Sequence, residues 1–164
     1  MHESVKNTNH PIIGVIYTQM AKSNLGLEDF SKAQDYITKA IAIFLSDEKR
    51  NPKNIKFSED TDLAAAYIIQ GDIFFSQNNL QKAIDLYRKA QGIYVYLYRE
   101  NISNVYHVSE LYLKGAKAAC KAKDLYHYQC FGKPQMREFG REHFNTIKML
   151  EYCTSHNMNL QEKQ

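Results

Sequence analysis

Apolar residues recur along this chain at spacings of three and four, the period of a helix that packs on one face. The clearest stretch covers residues 63–90, where two amphipathic patterns flank a polar turn at residues 76–79. The first pattern places Tyr67, Gly71 and Phe74 on one face, and the second runs from Leu80 to Ala90. A helical hairpin of this kind cannot bury its own apolar face, so it predicts neighbours built in the same way.

A weaker copy of the hairpin lies 50 positions earlier, where Tyr17 aligns with Tyr67 and Ala33 aligns with Ala83. Residues 46–59 between the two hairpins are polar and contain Pro52, which predicts a loop. The next two residues in the chain, Asp60 and Thr61, are alternative candidate caps for the following helix.

A third unit follows, with Ser103 as its candidate cap and Gly115 lying 44 positions after Gly71. Its second helix is predicted to be short and to end at residues 132–134, where Gly and Pro occur together. One more helix is expected to start near Phe139. The pattern therefore predicts about three hairpins and a terminal helix.

Composition supports helix throughout. The 164 residues include 7 Gly and 3 Pro, and no alternating runs of Val, Ile and Thr predict strands. No apolar run approaches the roughly 18 residues that a membrane span needs. The cysteines, Cys120, Cys130 and Cys153, are sparse and not closely paired, which predicts a reducing cytoplasm.

Charge is unevenly distributed. Residues 1–82 hold 9 Lys and Arg against 10 Asp and Glu, whereas residues 83–164 hold 12 against 8. The mild basic excess of the second half leaves an acidic ligand or RNA open as an alternative, while a solvated helix face explains it more simply. Nucleic-acid binding is therefore disfavoured.

The residues of the second hairpin resemble the tetratricopeptide repeat, which places an aromatic residue, then Gly, then an aromatic on its first helix and Ala, an aromatic and Ala on its second. The matching residues are Tyr67, Gly71, Phe74, Ala83, Tyr87 and Ala90. The spacings of 50 and 44 are similar to the longer repeats of kinesin light chains and of many bacterial proteins. His10-Pro11 and His143 fit the Gly-x-x-His-Pro opening of that class, although Phe144 replaces the Pro.

The resemblance implies a non-catalytic scaffold that binds a partner peptide or helix in the groove formed by the first helices of the hairpins. Asp72 would repel a carboxylate there, and Ile68 and Ile69 form an apolar patch instead. These features argue against the carboxylate clamp of chaperone-binding members. The implied groove residues are Thr18, Gln19, Lys22, Ile68, Ile69, Asp72, Tyr112 and Ala116.

Other chemistry has weaker support. His127, Cys130, Cys120 and His143 are the one conceivable metal set, and they lack the paired spacing of zinc sites. No nucleophile elbow or phosphate-binding loop occurs. We therefore expect no enzyme activity, no metal and no cofactor.

The sequence thus predicts an all-α superhelix of about three tetratricopeptide-like hairpins plus a C-terminal capping helix, in a cytoplasmic protein without a membrane segment. An apolar outer face on the terminal helix would predict a homodimer through that helix. The expected division is a disordered segment 1–9, a repeat domain 10–153 with repeats 10–45, 60–99 and 103–131, a terminal helix 140–153 and a flexible tail 154–164.

Overall fold

The computed structural model describes residues 10–46, 57–99 and 105–160, and these residues form helices and no strands. Helices α1 to α6 pack mainly against their neighbours in the chain, and α7 packs mainly against α5, as in a stack of helical repeats. The expected disordered segment 1–9 and the candidate cap Ser103 lie outside the described residues. The helices are α1 (Pro11–Gly26), α2 (Phe30–Leu45), α3 (Phe57–Ser76), α4 (Leu80–Tyr98), α5 (Tyr106–Lys121), α6 (Leu125–Phe139) and α7 (Phe144–Ser155).

Three hairpins, α1–α2, α3–α4 and α5–α6, are closed by the same tight turn. In each turn one residue has a positive φ, at Glu28, Asn78 and Lys123. The next residue donates its backbone N–H to a carbonyl five positions back, for example from Asp29 to Asn24 at 2.9 Å. This bond satisfies carbonyls that the end of a helix leaves without partners.

The same turn follows α7. Asn157 has a φ of 57°, and the Met158 N–H donates to the Cys153 carbonyl at 2.9 Å. The residue with a positive φ lies at position 28 in the first turn. The intervals from each such residue to the next are 50, 45 and 34 residues. By its turn, α7 is therefore equivalent to the first helix of each hairpin.

Glycines set the closest approach within each hairpin. A Cβ atom added to Gly71 would lie 2.6 Å from the ring of Tyr87, so the ring occupies the space that a side chain would need. Gly14 with Phe44 and Gly115 with Phe131 form the same contact, at 2.7 and 2.5 Å. The nearest neighbour of each glycine is an aromatic ring of the second helix.

Two helix starts differ from the prediction. Helix α3 begins at Phe57, so the predicted loop 46–59 is shorter and Asp60 and Thr61 lie inside the helix rather than at its cap. Helix α7 begins at Phe144, because Gly140 ends α6 with a φ of 82°. His143 caps α7 by accepting the Asn145 N–H through its Nδ1 at 3.2 Å.

Helix α6 continues through Pro134 to Phe139, whereas the sequence predicted its end at residues 132–134. Proline has no N–H, so it leaves the carbonyl four positions earlier, that of Cys130, without its helical donor. The Gln91 side chain of α4 donates to this carbonyl at 3.0 Å. A neighbouring hairpin therefore completes the hydrogen bonding of α6, which local sequence rules do not anticipate.

Helix α7 is attached to α5 by a disulfide between Cys120 and Cys153, whose Cα atoms are 5.3 Å apart. The expectation of unpaired cysteines was wrong, because helices that are adjacent in the stack bring together residues 33 positions apart. Cys130 is free. The expected cytoplasmic location, which rested on unpaired cysteines, stays a prediction.

A buried polar network also joins α5, α6 and α7. Gln135 donates through Nε2 to Ser109 at 3.0 Å and to Thr146 at 2.9 Å. Asn145 donates through Nδ2 to the same Ser109 oxygen at 3.1 Å. All four residues are buried, and these bonds offset much of the desolvation of their polar groups, although Gln135 Oε1 has no hydrogen-bond partner among the described residues.

The segment after α7 folds back against the stack. Leu160 approaches Gly132 closely, and Lys123 donates to the His156 carbonyl. Met158 and Leu160 are partly buried against the main core. Residues 156–160 of the predicted tail thus contribute to packing, and residues 161–164 lie outside the described residues.

Candidate functional site

The first helices α1, α3 and α5 lie side by side and enclose a groove of about 630 Å³. Its apolar lining includes Leu25 from α1 and Ile68 and Ile69 from α3. Charged side chains from all three helices also line it. They are Lys22 of α1, Asp72 of α3, and Glu110 and Lys114 of α5.

Six of the eight predicted groove residues line this groove together. Gln19 and Lys22 are exposed, whereas Thr18 is buried and its hydroxyl donates to the Gly14 carbonyl at 2.9 Å. The hydroxyl of Thr18 is therefore already occupied within α1. The six are Thr18, Gln19, Lys22, Ile68, Ile69 and Asp72.

Tyr112 and Ala116 do not line the groove, and their assignment was wrong. Both are buried in the core. The Tyr112 ring packs edge-on against Phe139 of α6 at 6.4 Å, and the Ala116 carbonyl oxygen lies 3.7 Å from the disulfide-bonded Cys153 sulfur of α7. These two positions of α5 therefore face the neighbouring helices rather than a ligand.

Other residues of α5 line the groove in their place. His107, Glu110 and Lys114 lie 42 positions after Ala65, Ile68 and Asp72, which line it from α3. The prediction used the glycine offset of 44, and two residues turn a helix by roughly 200°. The signal for the correct face was Glu110 with Lys114 four positions later, which places two charged residues on one face of α5.

Asp72 has two partners inside the groove. Its carboxylate accepts the Tyr87 hydroxyl at 2.7 Å and forms an ion pair with Lys114. Burial, followed by the charge of Asp72, raises the pKa of Tyr87 well above its usual value, so the phenol stays a donor. The ion pair with Lys114 neutralises part of the negative charge of Asp72. Asp72 should therefore repel an anionic ligand less than its sequence position alone indicates.

The groove also reaches the wall between α4 and α5, where Tyr94 is buried. Burial and the neighbouring Tyr98 raise the pKa of Tyr94 to about 12. A phenol that stays neutral at every physiological pH contributes apolar surface and a hydrogen-bonding group to the wall.

A second feature lies between α5 and α7, where lysines approach one another. Burial and the charges of Lys148 and Lys114 lower the pKa of Lys117. Lys117 lies 5.2 Å from the Tyr152 ring centre and Lys148 lies 4.1 Å from that of Phe144. Aromatic faces, rather than carboxylates, thus lie against these two ammonium groups.

Three of the four candidate metal residues are used in other ways, and the fourth, Cys130, is a free thiol. Cys120 is in the disulfide, and His127 contacts the Asp124 carboxylate at 2.6 Å through Nδ1. His143 caps α7. Within residues 10–46, 57–99 and 105–160, no three His, Cys, Asp or Glu side chains form a group that could hold a metal ion.

No helix in the described part of the chain is long and apolar enough to cross a membrane.

No curated protein and no solved structure matches the chain. A family model for the tetratricopeptide repeat matches residues 64–94, which cover most of α3 and α4. The 34-residue distance between the last two turns equals the usual period of that repeat. The match supports a protein of the tetratricopeptide-repeat type, and the kinesin-light-chain-like class and bacterial origin stay predictions.

Proposed function

We propose that the protein is a non-catalytic scaffold that binds a segment of a partner protein in the groove between α1, α3 and α5. The observation that carries the proposal is the composition of this groove, where Leu25, Ile68 and Ile69 form an apolar lining beside charged groups. A concave apolar surface with a few polar groups is typical of a recognition site. Tetratricopeptide repeats generally mediate interactions between proteins.

The charged groups set the orientation of the bound segment in this proposal. Lys22 is exposed at one side of the groove, and Glu110 is exposed on α5. A segment with an apolar anchor over Ile69 would place an acidic group near Lys22 and a basic group near Glu110. Such pairs contribute more to specificity and association rate than to affinity.

A photoreactive phenylalanine analogue in place of Gln19 tests the groove directly, because Gln19 lines it and is exposed. We expect this variant to cross-link a partner in native cell extract, with mass spectrometry identifying the captured peptide. The matched control carries the analogue in place of Gln81, which is exposed on the second helix α4.

Ile69→Lys should then abolish the cross-link from position 19, and Val95→Lys, on the exposed side of α4, should preserve it. Equal labelling from positions 19 and 81, or capture that survives Ile69→Lys in a folded protein, would refute groove binding.

A second candidate function is binding of an acidic ligand through Lys114, Lys117 and Lys148. The observation that favours it is the lowered pKa of Lys117, caused by burial and by the two neighbouring lysines, because an anion would relieve that repulsion. We expect a glutamate-rich peptide to bind with an affinity that falls as salt rises. Lys117→Glu should remove this binding, and Lys32→Glu, on α2, should not. Tighter binding of a generic RNA oligonucleotide would favour nucleic acid instead.

A further inference from the structure

Helix α1 presents an apolar stripe to solvent at the N-terminal end of the stack. Ile12 is 60% exposed, Ile16 is 52% exposed and Met20 is 36% exposed. Residues four apart lie one above the other on a helix, so the three side chains share one face. Large aliphatic residues on a shared exposed face indicate a surface that another molecule covers.

The second hairpin shows what covers the equivalent face. Ile16, at the centre of the stripe, lies 50 positions before Ala66 of α3, which is buried in one cluster with residues of α2. The counterparts of Ile12 and Met20 are Asp62 and Gln70, which are half-buried. A helix therefore covers the centre of this face in the second hairpin, and the described chain places no helix there against α1.

A second α1 helix would bring no charge repulsion to this face. Lys22 is the one charged side chain in α1, and it lines the groove between α1 and α3. Pairing two copies of α1 through the exposed stripe therefore brings no like charges together. The stripe is also symmetric in outline, because Ile12 and Met20 lie equally far from Ile16.

The C-terminal end is less suited to the same role. Helix α7 exposes Phe144 and Ile147, but the Lys148 ammonium lies over the Phe144 ring at 4.1 Å. The segment 156–160 also folds back onto the stack there, with Met158 and Leu160 partly buried.

We propose that two copies of the protein associate through α1, antiparallel and about a twofold axis at Ile16, so that Ile12 of each copy packs against Met20 of the other. A 16-residue helix is about 24 Å long and about 11 Å wide. It contributes roughly 300 Å² per copy, against about 800 Å² in a standard interface. The association is therefore weak and reversible, and it is independent of the proposed groove.

Sedimentation equilibrium of the full chain, from roughly 10 µM to 1 mM, tests the proposal over the range expected for a small interface. We expect the average mass to rise from monomer towards dimer with concentration. Ile16→Lys should hold the protein at the monomer mass throughout, with an unchanged helical circular dichroism spectrum. Ile147→Lys, the same change on the exposed face of α7, should associate as the wild type does, and so should the groove variant Ile69→Lys.

Cross-linking tests the position of the twofold axis. In a Cys130→Ser background, which removes the free thiol, Ile16→Cys should form a covalent dimer when diamide oxidises the two thiols. A disulfide requires Cα atoms within about 7 Å, which antiparallel pairing at Ile16 permits. Ser31→Cys, exposed on α2, should remain monomeric.

Three results would overturn the proposal. They are a wild-type protein that stays monomeric up to the highest concentration, association that Ile147→Lys removes and Ile16→Lys does not, and equal cross-linking from positions 16 and 31. Failure of the analogue at position 19 to capture any partner, with dimerisation intact, would refute the proposed function alone, so the two failures are distinguishable.

Discussion

At the N-terminal end of the stack, α1 leaves Ile12, Ile16 and Met20 exposed, whereas α7 at the other end is held by a disulfide, a buried amide network and a folded-back segment. Helix α1 opens a hairpin, and α7 is equivalent to such a first helix by its turn. Both helices begin with a histidine whose Nδ1 accepts a backbone N–H at 3.2 Å. A helical repeat has the same need at both ends, because each exposes a face that a neighbour would cover. The C-terminal end is closed by a covalent bond, whereas the N-terminal end leaves its apolar face available for association.

The largest test of this comparison removes the disulfide. Replacing Cys120 and Cys153 with Ala should lower the free energy of unfolding by about 3–4 kcal/mol on the chain-entropy model, because the bond closes a loop of 33 residues. Urea unfolding followed by circular dichroism measures the loss, and amide exchange should show α7 becoming as weakly protected as α1. Cys130→Ala is the control, and a loss no greater than in that variant would contradict a structural role for the bond.

Two of the three close glycine contacts, in the first and third hairpins, allow the same substitution to be compared in both. Gly115→Ala should cost about 3 kcal/mol, because the new Cβ would meet Cγ and Cδ1 of Phe131, near the attachment of a buried ring. Gly14→Ala should cost about 1 kcal/mol, because its Cβ meets Cε1 and Cζ at the far edge of the Phe44 ring and Ala favours helix. Thermal unfolding of both variants checks the order. Equal losses would show that the stack is packed alike at both sites.

Alkaline pH tests the packing of the C-terminal hairpin. Burial raises the pKa of Tyr128 to about 12 from an unfolded value of 10.0. The unfolded chain ionises first, so stability is complete below pH 10 and falls between pH 10 and about 12, by up to about 3 kcal/mol for this residue. Denaturant unfolding at several pH values measures the slope.

Tyr128→Phe is the matched variant for the alkaline experiment. It should reduce the alkaline loss without lowering stability at neutral pH, because the buried Tyr128 hydroxyl has no hydrogen-bond partner among the described residues. An unchanged alkaline slope in Tyr128→Phe would rule out this residue as the source.

The smallest effect concerns the histidine caps. His143→Ala should cost about 1 kcal/mol, the usual value of an N-cap, because α7 is attached to the core. His10→Ala should cost less than about 0.5 kcal/mol, because the exposed first turn of α1 can fray without disturbing the hairpins. Amide exchange in the first turn of each helix separates the two. A larger loss at His10 would mean that the N-terminal end is better fixed than its exposure implies.

The hairpin pattern was predictable because helical periodicity and small residues are local signals. The spacing around Gly71 predicted α3 and α4, and the all-α superhelix is confirmed. The end of α6 was not predictable, because the Gln91 amide that offsets the loss at Pro134 comes from another hairpin. The disulfide depended likewise on which helices become neighbours.

The same distinction between local signals and contacts between hairpins explains which residues of the candidate site were predictable. Thr18, Gln19, Lys22, Ile68, Ile69 and Asp72 line one groove because the first two hairpins share one offset. Tyr112 and Ala116 were misassigned because α5 presents a different face, which its glycine spacing does not reveal. Binding by the groove stays a prediction, and the homodimer that the sequence placed at the terminal helix is proposed at α1 instead.

The bond from Gln91 to the Cys130 carbonyl has a consequence for how the array unfolds. In an isolated α5–α6 hairpin this carbonyl would lose its donor, since Pro134 has none to offer. The second hairpin therefore stabilises the third through a specific bond as well as through shared apolar surface. Coupling of this kind makes neighbouring repeats unfold together, so the second and third hairpins should behave as one cooperative block whose boundary lies towards α1 and α2.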